Sequence, residues 1–173
     1  MAPFKPSPPS DYDSLTPSQR LKHAVSLFSS PEYTYHDSAV MRLLQIVSAT
    51  ISPHPRATFH LRVPSTLTQP LGSLHGGATA LIFDVCTTLA IALVHKEGWW
   101  EMLGVSRTLN VSYLGAVREG EEVEVEAEIV GMGKRMCLIR GVMWKVGKEG
   151  GGKGEIVATC EHGKVNVDAR VKL

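Results

Sequence analysis

A single carboxylate stands in the middle of an otherwise uncharged stretch of this chain. Residues 78–94 read ATALIFDVCTTLAIALV, and Asp84 is the one charged side chain among them. Burying an ionised carboxylate is costly unless it is paired, hydrogen-bonded or used in a reaction. Asp84 is therefore a candidate base or nucleophile, and the alternative is a structural carboxylate bonded to Thr87 or Thr88.

A Gly pair precedes this stretch, in the sequence Leu-His-Gly-Gly at residues 74–77. The first amides of a helix have no acceptor within it and favour negative charge on what they contact. A helix that starts at Gly76 or Gly77 would polarise a carbonyl group, and Asp84 would supply a base. This combination favours acyl chemistry.

The composition favours one domain that binds a small molecule. The chain has 173 residues, of which 43% are apolar, so a full core needs no metal or disulfide. The 18 Lys and Arg residues are scattered, and with 17 Asp and Glu they give a net charge of +1. This charge pattern argues against a partner that is nucleic acid or an anionic membrane.

The cysteines and the termini predict an intracellular protein. Cys86, Cys137 and Cys160 form an odd, widely spaced set without metal-ligand spacing. No signal peptide is recognised, and residues 78–94 are shorter than the roughly 20 residues of a membrane span. The cytoplasm is the expected compartment, while mitochondrial or peroxisomal import stays open because the final Lys-Leu is shared with a peroxisomal signal.

Periodicity predicts the order of the elements. Pro-rich residues 1–15 are predicted to be a flexible arm, and residues 16–173 a single domain with helices at residues 17–29 and about 36–44. Alternation predicts a hairpin at residues 48–63, turns at residues 131–133 and 148–154, and strands at residues 104–117, 122–129, 137–146 and 155–167. The predicted fold is α+β, with an antiparallel sheet wrapped around one long central helix.

These motifs together resemble those of the hotdog-fold acyl-CoA thioesterases, in particular their PaaI-like group. The matching segments are LGSLHGGATALIFDVCTTLAI and GVSRTLNVSYLGAVREGEEVEVEAEIVGMGKRM, with Asp84 eight residues after Gly76. The resemblance extends over about residues 44–167. It implies hydrolysis of acyl-CoA to a free acid and coenzyme A, without a metal or redox cofactor, since coenzyme A is part of the substrate.

The resemblance also implies roles for individual residues. Gly76 or Gly77 would donate a backbone N–H to the oxyanion, and Asp84 would attack the thioester or activate water. His75 would orient the loop rather than carry a proton. Gln69 stands where the family often has Asn, and it would hold the attacking water one methylene further out.

Further positions follow from the same resemblance. Ser106 matches a Ser that helps to place water, and Thr108 stands where the family has an Asp. The phosphates of coenzyme A would meet cations at Lys134, Arg135 or Arg107.

The resemblance implies a homo-oligomer, either a dimer or a dimer of dimers. The central helices would pack side by side, so that Asp84 of one chain acts on a carbonyl held by Gly76 or Gly77 of its neighbour. Each active site would then need two chains.

Several alternatives stay open on the sequence alone. An acyl-binding protein of the same fold would keep Asp84 as a structural residue, and a thioesterase for acyl carrier protein would use the same basic turn. A hotdog dehydratase would need a carboxylate–His motif, which we do not find.

Cys86 is expected to be a core residue because its side chain points away from Asp84 on a helix and no His stands at useful spacing. The other His residues show no recognisable site, and Trp99 and Trp100 are expected to cover the helix end rather than line an acyl tunnel.

Overall fold

The computed structural model describes residues 11–147 and 152–168, and it has the predicted α+β layout. In chain order its helices and strands are α1 (Pro17–Phe28), α2 (Ser38–Met41), β1 (Gln45–Thr50), β2 (Arg56–Arg62), α3 (Gly76–Ile91), β3 (Val105–Tyr113), β4 (Glu122–Met132), β5 (Met136–Val146) and β6 (Lys153–Val165). Residues 1–10 of the predicted arm, most of the predicted turn at residues 148–154 and the final Lys-Leu lie outside the described residues.

The long central helix is α3, and its burial explains its uncharged sequence. His75 caps its N-terminus, because the His75 Nδ1 atom accepts a hydrogen bond from the Gly77 amide at 2.9 Å. Ile82, Phe83 and Leu89 are fully buried, as expected for a helix that is apolar on most sides. Over residues 11–147 and 152–168, no helix combines the length and apolarity that crossing a membrane requires.

The strands form one antiparallel sheet in the order β1-β2-β4-β5-β6-β3, which curves around α3. The inward residues of β2 and β4 are buried and in register: Ala57 with Ala127, Phe59 with Val125, and Leu61 with Val123. The Glu residues between them face outward, where Arg56 pairs with Glu128 at 3.0 Å. The alternation that predicted a half-exposed strand is confirmed.

The strand predicted at residues 104–117 ends at Tyr113, and two further predicted boundaries are wrong. The predicted turn at residues 131–133 is strand as far as Met132, because β4 continues through a register shift between Ile129 and Gly131. A bulge adds a residue to one strand without ending it, so the turn itself comes at residues 133–135. The helix predicted at about residues 36–44 is only the single turn α2.

The N-terminal residues pack against the C-terminal end of α3. Tyr12, which the sequence placed in the arm, is buried, and its hydroxyl donates to the Ala92 carbonyl. The Arg20 guanidinium lies 4.7 Å from the centre of the Tyr12 ring and donates to the Leu93 carbonyl at 3.1 Å. A cation is favourable at the C-terminal end of a helix, so this contact holds α1 in place.

Trp100 fixes the loop between α3 and β3. Its side chain is fully buried, and its Nε1 donates to the Gly133 carbonyl at 2.8 Å. Gly104 has a φ of +66°, and a Cβ atom there would lie 2.6 Å from the Trp100 ring. The contact of Trp100 with Gly104 therefore positions the start of β3, and covering of the helix end by Trp99 and Trp100 stays a prediction.

Close packing between α3 and β5 leads to a first prediction. A Cβ atom on Gly141 would lie 2.6 Å from Cys160 Sγ and 2.8 Å from the Phe83 ring, whereas a Cβ atom on Gly131 would meet nothing within 4 Å. We expect Gly141→Ala to destabilise the fold by about 1–3 kcal/mol through overpacking and Gly131→Ala to have little effect. Thermal unfolding of the two variants measures this, and equal melting temperatures would contradict the packing.

Candidate active site

Asp84 lies on the one stripe of α3 that the chain leaves partly open. Gly77, Leu81, Asp84 and Thr88 recur at helical spacing along this stripe, and each is exposed or half-buried. The Asp84 side chain is 38% exposed, so the expectation of a buried carboxylate is wrong for a single chain. The other faces of α3 pack on the sheet and on α1 and α2, which is why the surrounding sequence is apolar.

Ser106 is the nearest polar partner of this carboxylate. Its Oγ donates to Asp84 Oδ1 at 2.8 Å, and its position at the start of β3 depends on the Trp100 loop. The alternative bonds from Thr87 and Thr88 to the carboxylate do not form. The Thr88 hydroxyl instead accepts from Lys164 Nζ at 2.8 Å.

His162 on β6 completes the cluster, and the sequence analysis missed it. Its side chain is fully buried, with Nε2 at 2.9 Å from Ser106 Oγ and 3.3 Å from Asp84 Oδ1. Its Nδ1 lies 2.6 Å from the Thr87 hydroxyl. The conclusion that no other His residue belongs to a recognisable site was therefore wrong.

A sequence signal for His162 did exist in the alternation of β6. Cys160, His162 and Lys164 occupy successive inward positions of the strand, and all three are buried. Polar residues at inward positions of a strand are rare unless they have partners. The pattern would have selected His162 and Lys164, but not their partner on α3.

The environment keeps the His162 ring neutral at pH 7. Its pKa is lowered to about 4, first by burial and then by the nearby Lys164 ammonium, against the opposing effect of Asp84. We assign the single ring proton to Nε2, because Nε2–H then donates to Ser106 Oγ while the Ser106 hydroxyl donates to Asp84. His162 in this form orients Ser106 toward the carboxylate.

In the N-terminal turn of α3, the amides of Gly76 and Ala78 have no acceptor among the described residues. The Gly77 amide is occupied by His75 Nδ1, and the Gly76 carbonyl accepts from the Tyr113 hydroxyl at 3.0 Å. Within residues 11–147 and 152–168, no atom accepts from the Gly76 amide. Of the two predicted glycines, Gly76 is therefore the better candidate for the oxyanion donor.

Gln69 lies on the same side of the fold as this turn. Its side-chain amide donates to Ser73 Oγ at 2.9 Å, and it lines a cavity of about 430 Å³ together with Gly76 and Tyr113. A second cavity, of about 520 Å³, contains Asp84 and Ser106. The predicted residues thus fall into two groups within one chain.

The spacing along α3 explains this division. Gly76 and Asp84 are eight residues apart on one helix, which corresponds to about 12 Å at a rise of 1.5 Å per residue. A thioester carbonyl held at Gly76 cannot also contact Asp84 of the same chain. The chemistry predicted for these two residues therefore requires a second chain.

The three predicted cations surround the turn between β4 and β5. Lys134 and Arg135 are exposed in this turn. Arg107 on β3 is exposed as well, and it reaches Met136, next to the turn, with an Nη1–Sδ distance of 3.5 Å.

Cys86 is fully buried, and burial raises the pKa of its thiol well above its ordinary value. This pKa disfavours a nucleophilic role for Cys86.

The charges around His162 lead to a second prediction. We expect its ring to titrate near pH 4 in an NMR experiment. Lys164→Met should raise this pKa because it removes a positive charge, and Asp84→Asn should lower it because it removes a negative one. A wild-type value near 6.5, or shifts of the opposite sign, would contradict the arrangement.

Comparisons with known proteins support the predicted resemblance. The sequence model of the Thioesterase superfamily matches residues 71–151. The chain is 29% identical to acyl-coenzyme A thioesterase 13 of Mus musculus over 97 residues, or 56% of this chain and 66% of that protein. It is 25% identical to the protein of the same name from Homo sapiens, with the same coverage. The match thus spans just under two thirds of the length of these relatives.

Solved structures show the same fold. Thioesterase superfamily member 2 from zebrafish is 25% identical and has a TM-score of 0.69, covering 88% of this chain and 99% of that chain. A mutant of the phenylacetic acid degradation protein PaaI from Thermus thermophilus is 18% identical and has a TM-score of 0.57, covering 72% and 93% of the respective chains. The region matched by the superfamily model contains α3, β3, β4 and β5. The predicted resemblance is confirmed: this chain is similar to the hotdog-fold thioesterases in sequence and in fold.

Proposed function

We propose that this protein hydrolyses acyl-CoA thioesters to the free acid and coenzyme A. The observation that carries the proposal is the Asp84–Ser106–His162 cluster, which holds one carboxylate in a cavity large enough for an acyl group. The Gly76 amide supports it, because a helix N-terminus stabilises the negative charge that develops on a carbonyl oxygen.

The two oxygens of the Asp84 carboxylate have different roles in the proposed reaction. Oδ1 accepts from Ser106, whereas Oδ2 has no partner in the part of the chain that the structure describes, and it is left for a water molecule. This water loses its proton to Asp84 as its oxygen attacks the thioester carbon. The carbon–sulfur bond then breaks, the proton passes to the departing sulfur, and the acid and the thiol of coenzyme A are released.

We further propose that each site is shared by two chains. The open stripe of α3 and the strand β3, which lies at one end of the sheet, are both available for a second copy. Val105, Tyr113 and Leu114 at or next to this edge are 52%, 56% and 61% exposed, and the unpaired backbone groups of an edge strand can pair with a strand of another chain. Pairing β3 with its copy would bring two α3 helices side by side.

Two substitutions test the two halves of the site. Asp84→Asn should lower kcat by about 10²–10⁴ through loss of the base. Gly76→Pro should lower it by about 10²–10³ through loss of the amide donor. Proline is tolerated here because Gly76 is the first helical residue and His75 before it is extended, with ψ at 136°. Gly76→Ala keeps the amide and is the matched control, so equal activities of the Ala and Pro variants would remove Gly76 from the mechanism.

Mixing the two inactive variants tests the sharing of the site. In a mixed dimer, one site combines an intact Gly76 with an intact Asp84, and the other site has lost both. After subunit exchange, we expect about one quarter of wild-type activity per chain, since half of the dimers are mixed and each has one working site. Activity that stays at the level of the single variants would show that each site lies within one chain.

The cations near the β4–β5 turn are proposed to bind the phosphates of coenzyme A. Replacing Arg107 or Arg135 with Met should raise KM for acyl-CoA about tenfold, because one charge-assisted hydrogen bond to a phosphate is lost. The same substitutions should leave kcat nearly unchanged. Arg62→Met, at the far end of β2, is the control. If the same substitutions instead impair hydrolysis of the acyl group on a carrier protein, the substrate is that protein rather than acyl-CoA.

A further inference from the structure

The cavity that contains Asp84 is completed by residues that precede the hotdog sheet. It has a volume of about 520 Å³, and its lining combines Asp84, Leu89 and Ser106 with residues of the segment 28–41. We call this segment the N-terminal wall. Its residues in the cavity are Phe28, Tyr33, Tyr35, Asp37 and Met41.

The wall is held in one conformation by its own contacts. The Arg42 guanidinium donates to the carbonyls of Ser30 and Tyr33 at 3.1 and 2.8 Å, and the Tyr33 hydroxyl donates to Asp37 at 2.8 Å. The Tyr33 ring packs edge-on against Phe28, with ring centres 5.3 Å apart. Because these contacts already order the wall, a ligand that binds against it costs little further conformational entropy. A wall fixed in this way can select ligands by their shape.

The wall also places a carboxylate beside the aromatic rings that line the cavity. Asp37 is half-buried and accepts from Tyr33 at both of its oxygens, at 2.8 and 3.1 Å. The amine of Lys164, which lines the same cavity, is bonded to Thr88, and no cationic side chain pairs with Asp37 in the part of the chain that the structure describes. Asp37 would repel a substrate carboxylate that is brought next to it.

We propose that the N-terminal wall determines which acyl groups this enzyme accepts. Tyr35 limits the length of the chain, and Asp37 excludes acyl groups that end in a carboxylate, so the substrates are uncharged monocarboxylic acyl groups. This inference rests on the proposed thioesterase function, and it concerns residues 28–41, which lie outside the matched residues 71–151.

Chain-length profiles test the role of Tyr35. Tyr35 is 45% exposed, so its truncation should not unfold the protein. In Tyr35→Ala, we expect kcat/KM to rise for acyl chains longer than the wild-type optimum, by about fourfold for each methylene that gains a buried position. Tyr35→Phe keeps the ring and should keep the wild-type profile from acetyl-CoA to palmitoyl-CoA. An unchanged profile in Tyr35→Ala overturns the role of Tyr35.

A matched pair of substrates tests the role of Asp37. Asp37→Asn keeps the shape of the side chain and removes its charge, and we expect it to raise kcat/KM for adipoyl-CoA relative to hexanoyl-CoA by about tenfold or more. Tyr33→Phe removes the hydrogen bond but leaves the carboxylate, so the ratio should stay at or below the wild-type value. An unchanged ratio in Asp37→Asn overturns the proposed exclusion.

The outcomes separate this inference from the proposed function. If the wild-type protein hydrolyses acyl-CoA in an Asp84-dependent manner but both profiles are insensitive to the wall, only the inference fails. If no acyl-CoA is hydrolysed by the wild-type protein, the proposed function and the inference fail together.

Discussion

The fixed rise of an α-helix separates the Asp84 carboxylate from the Gly76 amide, the proposed oxyanion donor. Eight residues of α3 place Asp84 two turns beyond Gly76, and no change of side-chain conformation shortens that distance. The open stripe on α3 and the unpaired edge at β3 are the surfaces through which a second copy could bring complementary halves together. If either surface were covered within one chain, the fold could stay stable, but a second copy could no longer bind there and complete the proposed site.

The cluster around Asp84 depends on burying polar groups in the sheet. His162 and Lys164 lie on the inner face of β6 and are nearly inaccessible to solvent, which would be costly without partners. Thr87 and Thr88 on α3 provide those partners at 2.6 and 2.8 Å. The same hydrogen bonds therefore satisfy the buried groups, connect the helix to the sheet and fix the ring that orients Ser106.

The sequence predicted most of this fold because its strongest signals are local. The alternation in β4, the uncharged run of α3 and the Gly pair at its N-terminus each indicate the structure of the same residues that form the pattern. The sequence could not show that His162 lies beside Asp84, since 78 positions separate them and only the register of β6 brings them together. It also failed at residues 131–133, where β4 continues past a bulge before the turn begins, and at Gly77, whose amide donates to His75 Nδ1.

The N-terminal wall and the Asp84–Ser106–His162 cluster belong to different parts of the chain, although they share a cavity. Substitutions at the exposed positions of residues 28–41, such as Tyr35, change the cavity wall without changing a residue of α3, β3 or β6. If the wall selects the acyl group as proposed, a lineage could diversify its substrates through these positions alone. The catalytic strands would meanwhile stay under constraint, and two such proteins would be expected to differ most where the chain enters the fold.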